Sequence, residues 1–296
     1  MKENKKTRIV LIGGGPACVT AAIQLSRSGM KPILLSENIG GTIKNANLIE
    51  NLLGFPEGIS GEDYVTLIQR QLEKNDVQVI LEEVEKVTLL KNEYEILTSK
   101  SRILADQVIV GTGSKPKKLN IKGEEKAREK NLLFYEIFNL KSRVIANKKI
   151  TIIGSGDVAY DYALNLCKSM NLITIIQRQQ KTKSLPVLQE RVREQENITF
   201  LKDREPMKVE MKYDKVILTI LNEGREEQIT SNYILVAIGR EPNISFLDPK
   251  LVQQYENPKD DSSLYFVGDV KLGNFRQVSI SIGDGMKAAM EIIKKV

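Results

Sequence analysis

Two short apolar runs, rich in β-branched residues, are each followed by a glycine turn and then by apolar residues at helical spacing. The first run, residues 8–12, leads into Gly13-Gly14-Gly15, and the second, residues 149–153, leads into Gly154-Ser155-Gly156. A buried strand, a glycine turn and an amphipathic helix in this order are typical of a dinucleotide-binding βαβ unit. Because the arrangement occurs twice, the chain is predicted to bind two dinucleotides.

The rest of the hydrophobic pattern alternates between the period of a strand and that of a helix, which indicates an α/β fold. Apolar residues at helical spacing predict helices over residues 20–28, 62–74, 157–170 and 186–195, and a final amphipathic helix through residue 293. Short apolar or alternating runs predict strands at residues 31–37, 77–81, 84–90, 94–98, 102–105, 107–110, 172–177, 233–238 and 264–267. Residues 114–123, with one proline and four lysines, have the composition of a linker.

Two equivalent glycines mark the ends of two predicted domains. Gly113 and Gly239, 126 residues apart, each follow a buried strand. The strand and helix that remain after Gly239 cannot bury their apolar faces alone, so they are expected to return to the first domain. The prediction is an α/β protein with two Rossmann-like dinucleotide-binding domains of the three-layer ββα type. Residues 1–113 and 243–296 form the first, and residues 114–242 are inserted as the second.

Composition narrows the possible chemistry. No apolar run among the 296 residues approaches the roughly 20 of a membrane span, so a cytoplasmic protein without a membrane partner is expected. The chain has no histidine, which argues against a triad hydrolase or a zinc site, and no metal site is predicted. Cys18 and Cys167 are the two cysteines and form no short redox motif. The net charge of +6 comes from scattered lysines without interleaved aromatic residues, so no nucleic-acid partner is expected.

The glycine turns belong to a longer series of motifs. In their order and over essentially the whole chain, these motifs resemble the low-molecular-weight thioredoxin reductase family of flavoproteins. The matching segments are Gly13-Gly14-Gly15-Pro16-Ala17 (the FAD pyrophosphate loop), Gly40-Gly41-Thr42-Ile43 (Gly-Gly-Gln-Leu), residues 49–56 (Glu-Asn-x-x-Gly-Phe-Pro), Gly111-Thr112-Gly113 (Ala-Thr-Gly), Gly268-Asp269 (Gly-Asp) and Arg276-Gln277-Val278 (Arg-Gln-Ala).

The resemblance implies that the first domain binds FAD. Gly13 and Gly15 permit a tight turn and a close approach to a pyrophosphate, whose charge is favoured at the N-terminus of the next helix. Glu37, 24 residues after Gly13, is spaced to bind the ribose hydroxyls. Cys18 stands where a third glycine is usual and is interpreted as a buried packing residue. The predicted FAD-binding residues are Gly13, Gly15, Pro16, Ala17, Glu37, Gly41, Thr42, Asn51, Val84, Gly111, Thr112, Gly113, Gly268, Asp269, Arg276, Gln277 and Val278.

The inserted domain is expected to bind a nicotinamide dinucleotide. The strand after its glycine turn ends in Gln177 and Arg178, without the carboxylate that an NAD site would place there. Arg178, with Lys181 or Lys183, offers cations to a 2′-phosphate, so NADP is favoured and NAD is the alternative. The family's His-Arg-Arg is here Gln177-Arg178-Gln179, and its later Arg corresponds to Lys183. The predicted NAD(P)-binding residues are Gly154, Ser155, Gly156, Asp157, Val158, Arg178, Lys181, Lys183, Ile238 and Gly239.

The largest departure from the family concerns its redox-active Cys-x-x-Cys pair. The corresponding stretch, counted back from Gly154, is Ile137-Phe138-Asn139-Leu140 and has no thiol. Thiol–disulfide exchange needs an attacking thiolate, so reduction of thioredoxin by the usual dithiol route is not expected. Cys167 is interpreted as a core residue of its helix, and no side chain is assigned a catalytic role.

Three functions remain open at this level. The first is an FAD-dependent oxidoreductase that takes a hydride from NAD(P)H and passes electrons to an unidentified acceptor without a protein dithiol. The second is a ferredoxin/flavodoxin-NADP reductase in the narrow sense; this thioredoxin-reductase-like group also lacks the dithiol, and the basic net charge suits a small acidic carrier. The third is a flavoprotein redox sensor that does not turn over, or one reduced by a protein partner rather than by NAD(P)H. A homodimer is expected by analogy with the family.

Overall fold

The computed structural model describes residues 2–141, 145–257 and 263–295. Within them it contains parallel sheets flanked by helices. The strands are β1 (Glu3–Ile12), β2 (Ile33–Leu35), β3 (Gln78–Ile80), β4 (Val84–Leu89), β5 (Tyr94–Thr98), β6 (Ser101–Val110), β7 (Ser114–Pro116), β8 (Leu133–Phe134), β9 (Lys149–Ile153), β10 (Leu172–Ile176), β11 (Ile198–Leu201), β12 (Glu205–Lys212), β13 (Lys215–Asn222), β14 (Arg225–Ser231), β15 (Tyr233–Val236), β16 (Arg240–Pro242) and β17 (Leu264–Phe266).

The helices occupy the connections between these strands. They are α1 (Pro16–Arg27), α2 (Gly61–Lys74), α3 (Glu124–Glu129), α4 (Ile137–Lys141), α5 (Asp157–Leu166), α6 (Pro186–Arg193), α7 (Pro249–Glu256) and α8 (Val278–Lys294), with 3₁₀ helices at Gly41–Asn45, Cys167–Ser169 and Gly268–Val270. No helix of the described segments is long and apolar enough to cross a membrane. The mixed α/β architecture with parallel sheets confirms the predicted fold class.

The chain divides into two compact units. Unit 1 consists of residues 1–44, 48–115 and 241–296, and unit 2 of residues 45–47 and 116–240. The chain therefore leaves unit 1 near residue 115 and returns near residue 241, and β7 and β16, which span these points, pair with each other. Which dinucleotide each unit takes stays a prediction.

Unit 1 is built on one large sheet. Its strand order is β3-β2-β1-β6-β5-β4, and β17 also pairs with β6. β1 runs parallel to β2 on one side and to β6 on the other. Its pairing with β6 extends from Glu3 and Ser101 to Ile12 and Val110. The strands predicted separately at residues 102–105 and 107–110 form the single strand β6, because β1 continues beside both halves.

Close helix packing covers one side of this sheet. A Cβ atom on Gly285 of α8 would lie 2.0 Å from the carbonyl oxygen of Ala17 in α1, so only glycine lets the two helices approach this closely. α1 begins with Pro16, whose missing N–H is harmless at the first position of a helix. The start of α1 is therefore fixed both by its own sequence and by α8.

Unit 2 has the predicted three layers. Its central sheet is parallel, in the order β11-β10-β9-β15-β8, and β12, β13 and β14 form a separate antiparallel sheet. Alternate residues of β9 face opposite sides of the central sheet: Ile150 and Ile152 belong to a buried cluster with residues of α4, α5 and α6, whereas Ile153 packs with Val216 and Leu218 of β13. Helices thus cover one face and the antiparallel sheet covers the other.

The hydrophobic pattern did not reveal the short helices α3, α4 and α7. α3, α4 and α7 have eight residues or fewer, too few for helical periodicity to stand out. The segment with linker composition, residues 114–123, includes β7 and so is partly a strand.

Candidate dinucleotide-binding sites

The first glycine turn connects β1 to α1 and depends on Gly13. The φ angle of Gly13 is +118°, and a Cβ there would lie 2.3 Å from the oxygen of Gly111 and 3.1 Å from the Cα of Thr112. Only glycine fits at such distances. The turn after β1 and the turn after β6 therefore touch, which brings together three residues predicted to bind FAD.

Open space lies beside the next glycine of this turn. A Cβ on Gly15 would meet nothing within 4 Å, and Gly15 is the N-cap of α1 with no side-chain hydrogen bond. Gly41 lies opposite, since a Cβ on Gly41 would be 3.6 Å from the Cα of Gly15. Unpaired backbone N–H groups and the positive end of the helix dipole make such a helix start favourable for a phosphate group.

The Gly268-Asp269 segment lies against both α1 and α8. Gly268 has a φ angle of +71°, and a Cβ on it would lie 2.9 Å from the Cβ of Ala17. Its N–H donates to Oδ2 of Asp284 at 2.8 Å, and the hydroxyl of Ser281 donates to Oδ1 of Asp269 at 3.1 Å. These contacts hold the predicted ribityl-binding segment beside the first glycine turn.

A hydrogen bond joins two further predicted residues at the start of α8. Nδ2 of Asn51 donates to Oε1 of Gln277 at 2.9 Å, and Val278 is the first residue of the helix. Arg276, one residue before Gln277, is half-buried. The loop around Asn51 and the start of α8 therefore form one local structure.

The turn that contains Gly113 is fixed by a residue that the motifs did not reveal. The Thr112 hydroxyl donates to the carbonyl oxygen of Asn243 at 2.6 Å, and the N–H of Asn243 donates to the carbonyl oxygen of Gly113 at 3.1 Å. Asn243 ends a Gly-Arg-x-Pro-Asn sequence that follows a buried strand, and this sequence could have indicated its role.

The other predicted FAD residues lie at different distances from the glycine turn. Glu37 is exposed and follows β2, whose last residue, Leu35, accepts a 2.8 Å hydrogen bond from the N–H of Gly13, so Glu37 is near the turn. Thr42 is exposed in the 3₁₀ helix beside Gly41. Val84 begins β4, which is separated from β1 by two strands, so strand pairing does not bring it to the turn.

The second glycine turn repeats this geometry between β9 and α5. Gly154 has a φ angle of +146°, and a Cβ on it would lie 2.2 Å from the carbonyl oxygen of Ala237. A Cβ on Gly156, the N-cap of α5, would meet nothing within 4 Å. One glycine is thus required by close packing, and the other leaves space beside a helix N-terminus.

A short segment, residues 182–185, is fastened to this second turn, and we call it the strap. The hydroxyl of Thr182 and the N–H of Lys183 both donate to the carbonyl oxygen of Ser155, at 2.7 and 3.1 Å. The N–H of Leu185 donates to Oδ1 of Asp157 at 2.7 Å. The sequence identified Lys183 as a candidate ligand but gave no sign of these anchoring bonds.

The cations predicted to contact a 2′-phosphate follow β10. Arg178, Lys181 and Lys183 are all exposed, whereas Gln177 is buried and its Nε2 donates to the hydroxyl of Tyr160 at 3.1 Å. Of the three cations, Lys183 is the one whose backbone bonds to the glycine turn. The exposed Val158 lies in the first turn of α5.

The end of β15 completes the second site. Ile238 is half-buried, and Gly239 has a φ angle of +110° and accepts a 3.0 Å hydrogen bond from the N–H of Lys117. Both residues follow the strand next to β9, so they lie at the same sheet edge as the glycine turn.

A charged cluster in unit 2 was not anticipated. The Glu136 carboxylate accepts hydrogen bonds from Nη1 of Arg240 and Nδ2 of Asn45, both at 2.7 Å, and from the hydroxyl of Tyr162 at 3.3 Å. Burial, with the Glu136 charge next in importance, raises the pKa of Tyr162 well above its ordinary value. Tyr162 therefore remains a neutral donor at physiological pH, and the cluster fixes the chain immediately before α4.

Both cysteines are buried. Burial raises the pKa of Cys18 to about 12 and also raises that of Cys167. Cys18 belongs to unit 1 and Cys167 to unit 2, and both are free thiols. In α4, Ile137 and Leu140 are fully buried in the core of unit 2. Among the described residues, no group of three or more acidic, cysteine or histidine side chains is arranged to hold a metal ion.

Comparison with known proteins shows the family and the fold. Residues 7–285 match the family model described as pyridine nucleotide-disulphide oxidoreductase. The chain is 29% identical to a thioredoxin reductase of Neurospora crassa, over 97% of this chain and 93% of the relative. The solved Lactococcus lactis thioredoxin reductase (FR conformation) superposes with a TM-score of 0.87 at 27% identity, covering 98% of this chain and all of the other. A thioredoxin reductase from T. acidophilum has the same fold, with a TM-score of 0.86 at 24% identity over 98% and 99% of the two chains.

Proposed function

The chain belongs to the pyridine nucleotide-disulphide oxidoreductase family, and on this basis we propose that it is an FAD-dependent NAD(P)H oxidoreductase that passes electrons to an acceptor without a dithiol of its own. One observation supports this most directly. Both glycine turns leave open space beside the N-terminus of a helix, in a chain whose two cysteines are both buried. Two dinucleotides can thus be held by a protein that offers no accessible thiol.

The residues of unit 1 fit FAD. The open space at Gly15, facing Gly41 and the first turn of α1, suits the pyrophosphate. Glu37 would bind the ribose, and Asp269 would accept a hydrogen bond from the ribityl chain. Arg276 and Gln277, at the start of α8, would donate to the pyrimidine edge of the flavin ring.

The residues of unit 2 fit a nicotinamide dinucleotide. Gly156 offers the same open space, and the exposed Arg178 after β10 offers a guanidinium to a 2′-phosphate, which favours NADP over NAD. When bound, the two cofactors supply the hydride and electron transfer that no protein side chain provides. The chain's own residues bind and orient them, and no side chain is required as an acid or a base.

The absence of a thiol relay rests on the 137–140 segment. Counted back from the second glycine turn, Ile137 and Leu140 stand at the positions expected for the resembled family's cysteines; both are fully buried, and neither side chain can attack a disulfide. Although the relatives named above are thioredoxin reductases, we propose that this chain donates electrons directly from its bound flavin to the acceptor. A quinone, a small disulfide, oxygen and a carrier protein all meet this description.

The second candidate function is that of a ferredoxin/flavodoxin-NADP reductase, for which the acceptor is a small acidic carrier protein. The net charge of +6 would favour association with such a partner and make it sensitive to ionic strength. An association rate that falls steeply with added salt is the expected signature.

The test is anaerobic reduction of the FAD-loaded protein, followed by an acceptor panel. We expect NADPH, and more weakly NADH, to bleach the flavin absorbance in the wild-type protein. The Cys18→Ala/Cys167→Ala double variant should be bleached at the same rate and should reduce the same acceptors, because neither thiol takes part.

The controls separate the alternatives. Reduction of acceptors that is lost only in the double variant would mean that a cysteine carries electrons after all. If neither NADPH nor NADH reduces the flavin, the result supports a flavoprotein redox sensor that does not turn over, or a flavin that is reduced by a protein partner. Protein that stays colourless after incubation with FAD contradicts the whole proposal.

A further inference from the structure

The side of α8 that packs on the Gly268-Asp269 segment carries two polar side chains. Ser281 and Asp284 are three residues apart in this helix, so they lie on the same face. The Ser281 hydroxyl donates to Oδ1 of Asp269 at 3.1 Å, and Oδ2 of Asp284 accepts from the N–H of Gly268 at 2.8 Å. The helix therefore holds this segment twice, once by a side chain and once by its backbone.

Both contacts are shielded from solvent. Ser281 is 5% exposed, and the Asp284 side chain is 15% exposed. Hydrogen bonds to a carboxylate are stronger than those between neutral groups, and they strengthen further where water is excluded. Nζ of Lys271 lies 3.5 Å from Oδ1 of Asp284 and balances the charge of this carboxylate. The contacts from α8 are thus well placed to fix the segment.

The backbone on either side of Asp269 is also held. The carbonyl oxygen of Gly268 accepts a hydrogen bond from the N–H of Lys271 at 2.9 Å. The carbonyl oxygen of Val270 accepts one from the hydroxyl of Tyr255, also at 2.9 Å. Because the main chain is tied before and after Asp269, rotation about its side-chain bonds is the main freedom left, and the hydroxyl from α8 restricts that rotation.

We propose that Ser281 and Asp284 are positioning residues for FAD. Ser281 orients the Asp269 carboxylate for the ribityl chain, and Asp284 keeps the backbone of that residue in place. This inference rests on the proposed function, because it concerns the same flavin site. A carboxylate that is already oriented loses less conformational freedom when its ligand binds, so the two α8 residues raise the affinity for FAD without meeting it.

The experiment measures the dissociation constant of FAD from the full-length protein. Purified FAD-loaded protein is diluted in steps, and the free FAD that passes an ultrafiltration membrane is quantified by its fluorescence. We expect Ser281→Ala to raise the Kd roughly tenfold. Ser279→Ala is the matched control, since it removes a hydroxyl from an exposed position of the same helix and should leave the Kd unchanged.

A double-mutant cycle separates positioning from a general effect on the fold. Asp269→Ala removes the carboxylate that Ser281 orients, and its weaker binding is measured at higher protein concentration. If Ser281 acts through that carboxylate, adding Ser281→Ala to Asp269→Ala should weaken FAD no further, so the two changes are far from additive. A serine with a merely structural role would weaken FAD by the same factor in both backgrounds.

The role of Asp284 is tested by a conservative pair. Asp284→Asn keeps an oxygen that can accept from the N–H of Gly268, and this variant should retain FAD nearly as the wild type does. Asp284→Ala loses the acceptor and should raise the Kd at least as much as Ser281→Ala. Equal loss of FAD from both Asp284 variants would mean that the charge matters and not the hydrogen bond, which contradicts the positioning role of Asp284.

The possible failures are distinguishable. If the wild-type protein binds no FAD, the proposed function itself is wrong. If the wild type binds FAD and Ser281→Ala behaves like Ser279→Ala, the inference is wrong. It is equally overturned if the effect of Ser281→Ala persists in full without the Asp269 carboxylate. Thermal melting of each variant shows that the fold is retained.

Discussion

A sulfur-containing side chain at position 18 fits because position 111 has no side chain at all. A Cβ on Gly111 would lie 2.4 Å from Sγ of Cys18 and 3.1 Å from Cγ2 of Val267. Cys18 is fully buried, with its Sγ 3.5 Å from the carbonyl oxygen of Ile12. The chain therefore has a larger residue where such turns usually have a third glycine, and a glycine where the resembled family has alanine.

This exchange predicts strong coupling between the two positions. Gly111→Ala should lower the free energy of unfolding by about 1–3 kcal/mol, because the added methyl group overpacks the contact with Cys18. Combining it with Cys18→Ala should recover part of that loss. Denaturant unfolding of the single and double variants measures the coupling. Strictly additive effects would show that the two residues do not compete for the same space.

The cysteines also predict a pattern of chemical reactivity. The thiolate is the reactive form, and the raised pKa of Cys18, about 12, leaves almost none of it at pH 8, compared with an exposed thiol of pKa about 8.5. Iodoacetamide at pH 8 should therefore modify Cys18 very slowly in the native protein, modify Cys167 somewhat faster, and modify both rapidly in urea. Peptide mapping by mass spectrometry follows each site. Fast native modification of Cys18 would contradict its burial.

Each glycine turn, as an element, contains one glycine required by packing and one left free of neighbours. Gly13 and Gly154 have positive φ angles and no room for a Cβ, whereas Gly15 and Gly156 have extended backbones and open surroundings. The same spacing in the sequence thus serves two physical purposes, one structural and one for ligand approach.

This distinction gives opposite expectations for alanine substitution. Gly13→Ala and Gly154→Ala should destabilise the protein even without ligands, because a Cβ would overlap a carbonyl oxygen at 2.3 or 2.2 Å. Gly15→Ala and Gly156→Ala should melt like the wild type in the ligand-free form. However, Gly15→Ala should retain less FAD, and Gly156→Ala should bind NADP⁺ more weakly.

Thermal melting of the FAD-free protein and the ratio of flavin to protein absorbance check this expectation. A Gly15→Ala variant that retains FAD fully would exclude the space beside Gly15 as the pyrophosphate site.

The whole molecule is organised by the two points at which the chain passes between its units. β7 pairs with β16, and nearby in unit 1 Nζ of Lys115 lies 3.6 Å from the Glu241 carboxylate. The ends of unit 1 are therefore close together, and closing them with a short loop costs little entropy.

Replacing residues 117–239 with a short glycine-serine turn should accordingly leave a folded protein that binds FAD but not NADP⁺. Some stability should be lost, because Asn45 gives up its hydrogen bond to Glu136. Flavin absorbance of the purified protein and calorimetry with NADP⁺ provide the measurement, with the full chain as control. A shortened chain that is folded but colourless would show that unit 1 is insufficient for FAD.

The hydrophobic period and the glycine spacing determined the α/β class, the duplicated glycine turns and the burial of Cys18, because these depend on residues close together in the chain. Short elements such as α4 escaped detection, since five residues carry too little periodicity. Only the tertiary structure decided that Cys18 fits against Gly111, that Asn243 fastens the turn at Gly113, and that Glu136 pairs with Arg240. It also decided that the strap anchors Lys183, and not Lys181, at Ser155. Each of these contacts joins residues distant in sequence, and such pairings are fixed by packing, which local patterns do not encode.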